Sequence, residues 1–265
     1  MGVRIFSLYS GSTGNAFLIR GKEGSLLIDG GKNAKRLCEA LACVGVSPDE
    51  IKAILVTHEH TDHISALPVF LKKHPIPVHL PRGCAYKLEG ENAVSPLLCP
   101  HSPIDTVKAA GMRVTSFPTP HDSQSSVGYR IEIPRLGQSP LAIGYATDLG
   151  FVSGEVEEAL TGCHAVILES NHDLDMLHRG PYPYELKRRI ASRRGHLSNP
   201  DSALFAARLC ASGTRALMLA HLSQENNTPD TAYDACFSAI GDESVRICVA
   251  HPDCVTELLW EGSAL

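Results

Sequence analysis

What the chain lacks narrows its biology before any motif is read. Nowhere in its 265 residues is there an apolar run approaching the ~20 residues of a membrane-spanning helix, so no span and no membrane partner are expected. The opening stretch MGVRIFSLYSGSTGN lacks the apolar core of a secretory signal, and Phe6 stands where a myristoylation motif needs Ser or Thr. The expected location is therefore cytoplasmic. The nine cysteines contain no C-x-x-C, their number is odd, and several, such as Cys248 in RICVA, lie in apolar contexts. Free thiols in a reducing compartment are expected, with no disulfide framework and no disulfide-linked partner. Basic charge is not in excess either: the net charge is −5, so contact with nucleic acid must come from a local patch. Linkers, low-complexity tracts and solenoid-length repeats are missing, which points to one domain over residues 1–265.

What is present is a chain with 43% hydrophobic residues, enough for a sizeable core. Short apolar runs rich in β-branched residues predict strands at 25–29, 53–58, 112–118, 127–133, 141–148, 164–170, 214–221 and 245–250. Helical patterns fall at 33–44, 62–73, 154–161, 182–192, 200–211 and 229–240, with start signals at Ser47-Pro48-Asp49-Glu50 and Asn199-Pro200-Asp201. Strands dominate the first half and alternate with helices in the second, an order that suits a sheet-rich α/β sandwich with helices on its outer faces. His58, Thr119 to His121, Asp148, Glu169 and His221 all end predicted strands. If those strands lie side by side, these residues converge on one rim.

Residues 57–63 read THEHTDH. His58 and His60, two apart on an extended segment, can aim both imidazoles at one metal, and Asp62 and His63 at a helix start can serve a second. Imidazole and carboxylate suit zinc, manganese or iron. Further ligands are on offer at strand ends: His121 in PTPHDS, Asp148 in YATDLG and His221 in LMLAHLS. Each alone reads equally as a turn, cap or structural residue; their recurrence after H-x-H-x-D-H favours a metal centre. Glu59 reads as a solvated loop acid.

These residues, with LLIDGG supplying Asp29, resemble the five-motif pattern of the metallo-β-lactamase superfamily. The resemblance implies an αββα sandwich with a dinuclear metal site at one rim. By position, His58, His60 and His121 would bind one divalent ion, Asp62, His63 and His221 the other, with Asp148 bridging. Such a pair lowers the pKa of a bridging water and delivers hydroxide at neutral pH, which Asp62 would orient. Asp148 stands where lactamases usually carry cysteine, which disfavours lactamase activity. Flavodiiron oxidases place an acid at the position of His60 and carry a flavin domain, and neither feature is found.

The fold alone does not choose a substrate. His196, one helix–strand unit before His221, resembles the extra histidine of phosphodiesterase members such as tRNA 3′-processing nucleases, where it contacts the scissile phosphate and can protonate the leaving oxygen. Glu169 is its expected partner; a helix-capping or buried structural role is the other reading of His196. Across residues 10–229, GSTGNAFLI, THEHTDH, TPHDSQSSVGY, ATDLG, ESNHDLDML, GPYPYELKRRIASRRGHLSN and HLSQENNTP together resemble the bacterial WalJ/YycJ-like subfamily. That resemblance implies a metal-dependent 5′-to-3′ exonuclease whose partner is DNA with a free 5′ end. A small-molecule (cyclic) phosphodiesterase, an RNA-processing nuclease and a non-catalytic metal-binding protein are the alternatives.

The local signal for nucleic acid is the run Lys187, Arg188, Arg189, Arg193 and Arg194, which reads either as a phosphate contact or as a solvated helix face. Ser12 and Asn15 in SGSTGN, Arg193 and Arg194, Asn199, and Asn226 in SQENNTP are the candidate substrate contacts, although turn, cap and supporting roles also suit these segments. Tyr182 and Tyr184 fit a helix anchor better than base stacking. The other histidines are expected to be structural, with His172 the one nearest the rim.

Overall fold

Residues 2–90 and 92–260 are described by the computed structural model. Two seven-stranded sheets face each other. The first holds β1 (Arg4–Tyr9), β2 (Ala16–Gly21), β3 (Gly24–Ile28), β4 (Ile51–Leu55), β5 (Val78–Pro81), β6 (Leu98–His101) and the returning β14 (Thr256–Leu258), in the order β14-β1-β2-β3-β4-β5-β6. The second holds β7 (Asp105–Ala109), β8 (Met112–Pro118), β9 (Val127–Arg135), β10 (Gln138–Ala146), β11 (Ala165–Glu169), β12 (Ala216–Ala220) and β13 (Arg246–Val249), in the order β13-β12-β11-β10-β9-β8-β7. This is the expected αββα sandwich.

Residues alternate between two apolar layers along each central strand. In β2, Phe17 and Ile19 enter the layer between the sheets, while Leu18 faces the outer layer of its own sheet. Ile143 and Ala142 of β10 divide in the same way. Because both faces are covered, β11 (AVILE) and β12 (ALMLA) are buried at every position, and apart from the terminal Glu169 they read as unbroken apolar runs. The outer cover of the first sheet is α1 (Ala34–Cys43), α2 (Thr61–Ile64) and α3 (Leu67–Lys73), which add Leu37, Leu41, Leu67, Phe70 and Leu71. The short α4 (Tyr86–Glu89) adds Leu88. The second sheet is covered by α5 (Gly154–Leu160), α8 (Asn199–Ala211) and α9 (Pro229–Ile240), through Val156, Leu160, Phe205, Leu209, Ala232 and Cys236. Between α5 and α8, α6 (Leu174–Arg179) and α7 (Tyr184–Ile190) run near the rim.

Several expectations shift. The helix expected over 62–73 is two helices, because Pro68 has no N–H to continue the first one. Ser47 to Glu50 form a full capping box, but the helix is a single 3-10 turn that feeds β4. The cap before α8 is Ser198, whose side chain accepts from the Asp201 N–H, so Asn199 lies inside the helix. Helices α4 and α6 and the strands β5, β6, β7 and β14 went unforeseen: they are short, two of the strands carry proline, and β7 has no buried residue.

Strands β3 to β6 are parallel, as are β10 to β13, and β8 runs in the same sense as β10 through the antiparallel β9. Their C-terminal ends therefore open on one rim. None of the nine cysteines is paired, and among the described residues no helix is long and apolar enough to cross a membrane.

Phe17 meets Tyr145 edge-on across the inter-sheet layer, with ring centroids 5.1 Å apart, and both rings are fully buried. Phe17→Ala is expected to lower stability by about 3–5 kcal/mol in urea denaturation. Leu136→Ala, at a fully exposed side chain, should change it by less than about 0.5 kcal/mol and serves as the control.

Candidate metal centre

The strand ends deliver the expected ligand types to one place. His58 follows β4 on extended chain, His60 takes the N-cap position of α2, and Asp62 and His63 lie in that helix's single turn. His121 follows β8, Asp148 follows β10 and His221 follows β12. Three non-glycine residues at these ends adopt left-handed backbone: Asp29 (φ 59°), Asp148 (φ 60°) and His221 (φ 57°). That conformation costs on the order of 1–3 kcal/mol each and persists where the surroundings impose it. Here a sharp turn out of the strand swings each side chain into the rim.

The donor atoms fall into interlocking groups. One atom each from His58, His60 and His121 lies within 4.8 Å of the others, and the same holds for Asp62, His63 and His221 and for His58, His63 and Asp148. Asp148 lies between the two triads: Oδ2 is 3.4 Å from His63 Nε2, and Oδ1 is 3.6 Å from His121 Nε2. Asp62 Oδ2 approaches His63 Nε2 at 3.3 Å and His221 Nε2 at 3.6 Å.

Outer partners fix how the rings face. His63 Nδ1 bonds Asp29 Oδ2 at 2.7 Å, His121 Nδ1 donates to the Gly195 carbonyl at 3.1 Å, and His221 Nδ1 bonds Glu169 Oε1 at 2.8 Å. His58 Nδ1 meets the Thr57 hydroxyl at 3.0 Å. In each case one ring nitrogen is held from outside, and Nε2 is left to turn inward. This is how metal-bound imidazoles are oriented. Asp29 is itself anchored, accepting from the Thr57 N–H and hydroxyl. Gly31 keeps the rim tight, since a Cβ there would lie 1.9 Å from the Asp62 carbonyl oxygen.

Among the described residues, His58 Nε2, Asp148 Oδ2 and His221 Nε2 are buried without a hydrogen-bond partner. Such an orphan costs about 1–3 kcal/mol, so three in one pocket call for something that satisfies them together. A divalent cation does, and the mixed imidazole and carboxylate donors fit one. Electrostatics agree. Burial would raise the Asp148 carboxyl, yet His221, His63, His58 and His121 hold it well below the usual carboxylate range. Burial likewise opposes protonation of His221, but the nearby carboxylates of Asp148 and Asp62 and the bond to Glu169 raise it to about 10. Asp62, raised by burial, is pulled far down by His63 and His221. Burial and neighbouring imidazolium charge push His58 well below its ordinary value. The acids are thus ionised and draw positive charge into the rim.

His196 stands beside this cluster. Its Nδ1 bonds Glu169 Oε1 at 2.9 Å, the same oxygen that His221 uses. The other oxygen of Glu169 accepts the N–H groups of Leu149 and Leu197. Fully buried, Glu169 would be raised by desolvation, but the two histidines bring it down to about 2. It is an ionised strut between His196 and a candidate metal ligand.

Other expected positions divide. Ser12 is exposed and lines a cleft with His196. Arg193 is exposed and stacks on Phe151, its guanidinium carbon 3.8 Å from the ring centroid. Arg194 donates to the His121 carbonyl at 3.2 Å and braces that loop. Three of the asparagines lie buried in supporting positions. Asn15 is fully buried, and its amide reaches Gly11 and, at 3.2 Å, Asp62 Oδ2. Asn199 is locked with Ser170 and Asn227. Asn226 is fully buried beside Ser223 and Gly180. The basic run is largely engaged too: Arg188 pairs with Glu185 and Arg189 with Asp122. His172 is buried, and its carbonyl accepts the Asn199 N–H.

The expectation for Glu59 is corrected. It is 6% exposed, accepting from the Gln124 N–H at 2.9 Å and from the Cys84 thiol at 3.1 Å. It staples the loop of His58 and His60 to the loop of His121. Nothing in its sequence neighbourhood signals this, because both partners are distant in the chain. Thr57 was likewise missed, and its place directly before His58 was the available clue.

Comparison with known proteins agrees with this geometry. A family model for the beta-lactamase superfamily domain matches residues 25–222. The exodeoxyribonuclease YycJ of Bacillus anthracis is 34% identical over 241 residues, covering 88% of this chain and 87% of that protein. The exodeoxyribonuclease WalJ of Streptococcus pneumoniae is 28% identical over 268 residues, covering 97% and 98%. Among solved structures, the metallo-beta-lactamase fold protein YhfI from Bacillus subtilis superposes with a TM-score of 0.73 at 16% identity, covering 97% of this chain and 100% of that one, a likeness of fold.

Removing the outer bond to His63 should loosen the ion. Asp29→Ala is expected to weaken divalent-metal binding roughly 10- to 100-fold in chelator competition. An unchanged affinity would contradict the role given to Asp29.

Proposed function

The chain belongs to the beta-lactamase superfamily, within its YycJ/WalJ-like subfamily, and from that premise we propose that it degrades DNA from a 5′ end as a metal-dependent exonuclease. The broad class, a metal-dependent hydrolase of phosphodiester bonds, comes with that membership. Metal dependence rests on one observation: two triads of donors meet at Asp148, with unsatisfied Nε2 and Oδ2 atoms turned into the space between them. The choice of DNA is supported by the relatives, which are exodeoxyribonucleases.

We assign His58, His60 and His121 to one ion, Asp62, His63 and His221 to a second, and Asp148 to both, with zinc, manganese and iron as the fitting metals. Bound there, such ions acidify water and neutralise charge on phosphoryl oxygens. Asp62, ionised and with its side chain 24% exposed, orients the attacking water. His196 keeps Nδ1 on Glu169, which leaves Nε2 to face the cleft and give a proton to the departing oxygen. The Glu169 carboxylate, bonded to Nδ1, fixes the ring in that orientation. Arg188, Arg189 and Arg193 keep exposed guanidinium edges, and five N–H donors each leave some free for phosphate. The unpaired thiols fit a reducing compartment.

Single-stranded and duplex DNA labelled at the 5′ or the 3′ end tests the polarity with each metal. Early release of the 5′ label and stepwise shortening of the 3′-labelled strand are expected; the reverse order overturns the polarity. His196→Ala should keep its metal content while kcat falls about 100- to 10,000-fold. Full turnover in that variant would remove His196 from the chemistry.

A further inference from the structure

Two clefts open on either side of the candidate metal centre. The first, about 240 Å³, is walled by Tyr182, Leu186 and Ile190 on one side and by Ser12, His196 and Ser223 on the other. The second, about 460 Å³, runs past His60, Thr61 and Asp62 to Tyr86 and Lys87. Arg189 borders both. The assigned proton donor therefore faces the small cleft, while Asp62, which orients the attacking water, faces the large one.

We propose that the small cleft is a nucleoside pocket that receives the one nucleotide cut away at each turnover, and that the Tyr182, Leu186 and Ile190 wall sets this step size. The proposal rests on the exonuclease reading above. Leu186 and Ile190, four apart on α7, share one helix face, and Tyr182, two residues before the helix, lines the cleft with them to form one apolar stripe. That stripe lines a cleft beside ionised groups, where apolar side chains gain nothing from the acids and imidazoles around them. A nucleobase suits such a wall, since every base has an apolar face, and contact of this kind tolerates any sequence. Ser12, Ser223 and Asn171 supply polar groups around it for a sugar. The volume lies below the ~300–1,000 Å³ of ordinary ligand pockets, room for one nucleoside and not for a strand.

Cleft size also fixes which oxygen departs. In an in-line displacement the leaving oxygen lies opposite the attacking one, on the side of His196. Only a small fragment fits there, and at a 5′ end that fragment is the terminal nucleotide, departing through its 3′ oxygen. The water oxygen joins phosphorus, the bond from phosphorus to the 3′ oxygen breaks with its electron pair going to that oxygen, and His196 Nε2 protonates it. The shortened strand keeps the phosphate on its 5′ oxygen and extends along the larger cleft past Tyr86 and Lys87. The proton left by the attacking water passes to solvent, from which His196 recovers its own.

The test compares the wild type with Tyr182→Ala/Leu186→Ala on a 5′-labelled single strand, scoring the released fragments by size. Wild type should release mononucleotides alone. Opening the wall should raise KM roughly tenfold or more, the worth of one stacked base, and add di- and trinucleotides to the products. If the double variant does not fold, Leu186→Trp fills the cleft instead and should lower kcat/KM on DNA while leaving metal content intact. Mononucleotide release with an unchanged KM in the opened variant, or full activity on DNA in the filled one, overturns the pocket. A wild type that cuts bis(p-nitrophenyl) phosphate but no DNA overturns the exonuclease reading and the pocket with it. A wild type that shortens DNA by single nucleotides alongside an unaltered variant overturns the pocket alone.

Discussion

Burying unpaired donors is the constraint on which the rest of this structure depends. His58 Nε2, Asp148 Oδ2 and His221 Nε2 lie in the same small space without partners among the described residues. Left so, they would cost several kcal/mol in a domain whose whole stability is of the order of 5–15 kcal/mol. The fold enforces that crowding. Parallel strands from two sheets end on one rim, left-handed turns at Asp148 and His221 aim the side chains inward, and the apolar layer between the sheets leaves the ends no room to drift. A site that is costly when empty binds its ion strongly, because binding removes the cost.

The outer carboxylates make the centre a connected unit. Asp29 orients His63, and Glu169 orients His221 and His196 through a single oxygen. The shared oxygen ties the candidate proton donor to a candidate metal ligand, so neither ring can turn without disturbing the other. Glu59 performs a similar task on the far side, holding the His60 loop to the His121 loop. Positioning of this kind converts a cluster of ligand types into a defined geometry.

Much of this was legible in the sequence. THEHTDH after an apolar run, and single His or Asp residues at later strand ends, carried enough pattern to name every member of the two triads and Asp148. The central strands were equally readable, because burial on both faces leaves an unbroken apolar signature. Elements at the margins were not. Strands β5, β6 and β14 have three or four residues each and gain their order from neighbours distant in the chain. Burial of polar side chains was the other blind point. Asn15, Asn199 and Asn226 look like exposed contacts in a loop sequence, and only the packing of three segments shows that they are interior supports. Glu59 failed in the same way.

The most direct measurement is a crystal structure of the metal-loaded protein with anomalous diffraction at the metal edge. The account predicts two ions, one on His58, His60 and His121 and one on Asp62, His63 and His221, with Asp148 touching both. A single ion, or ions held without Asp148, would contradict it.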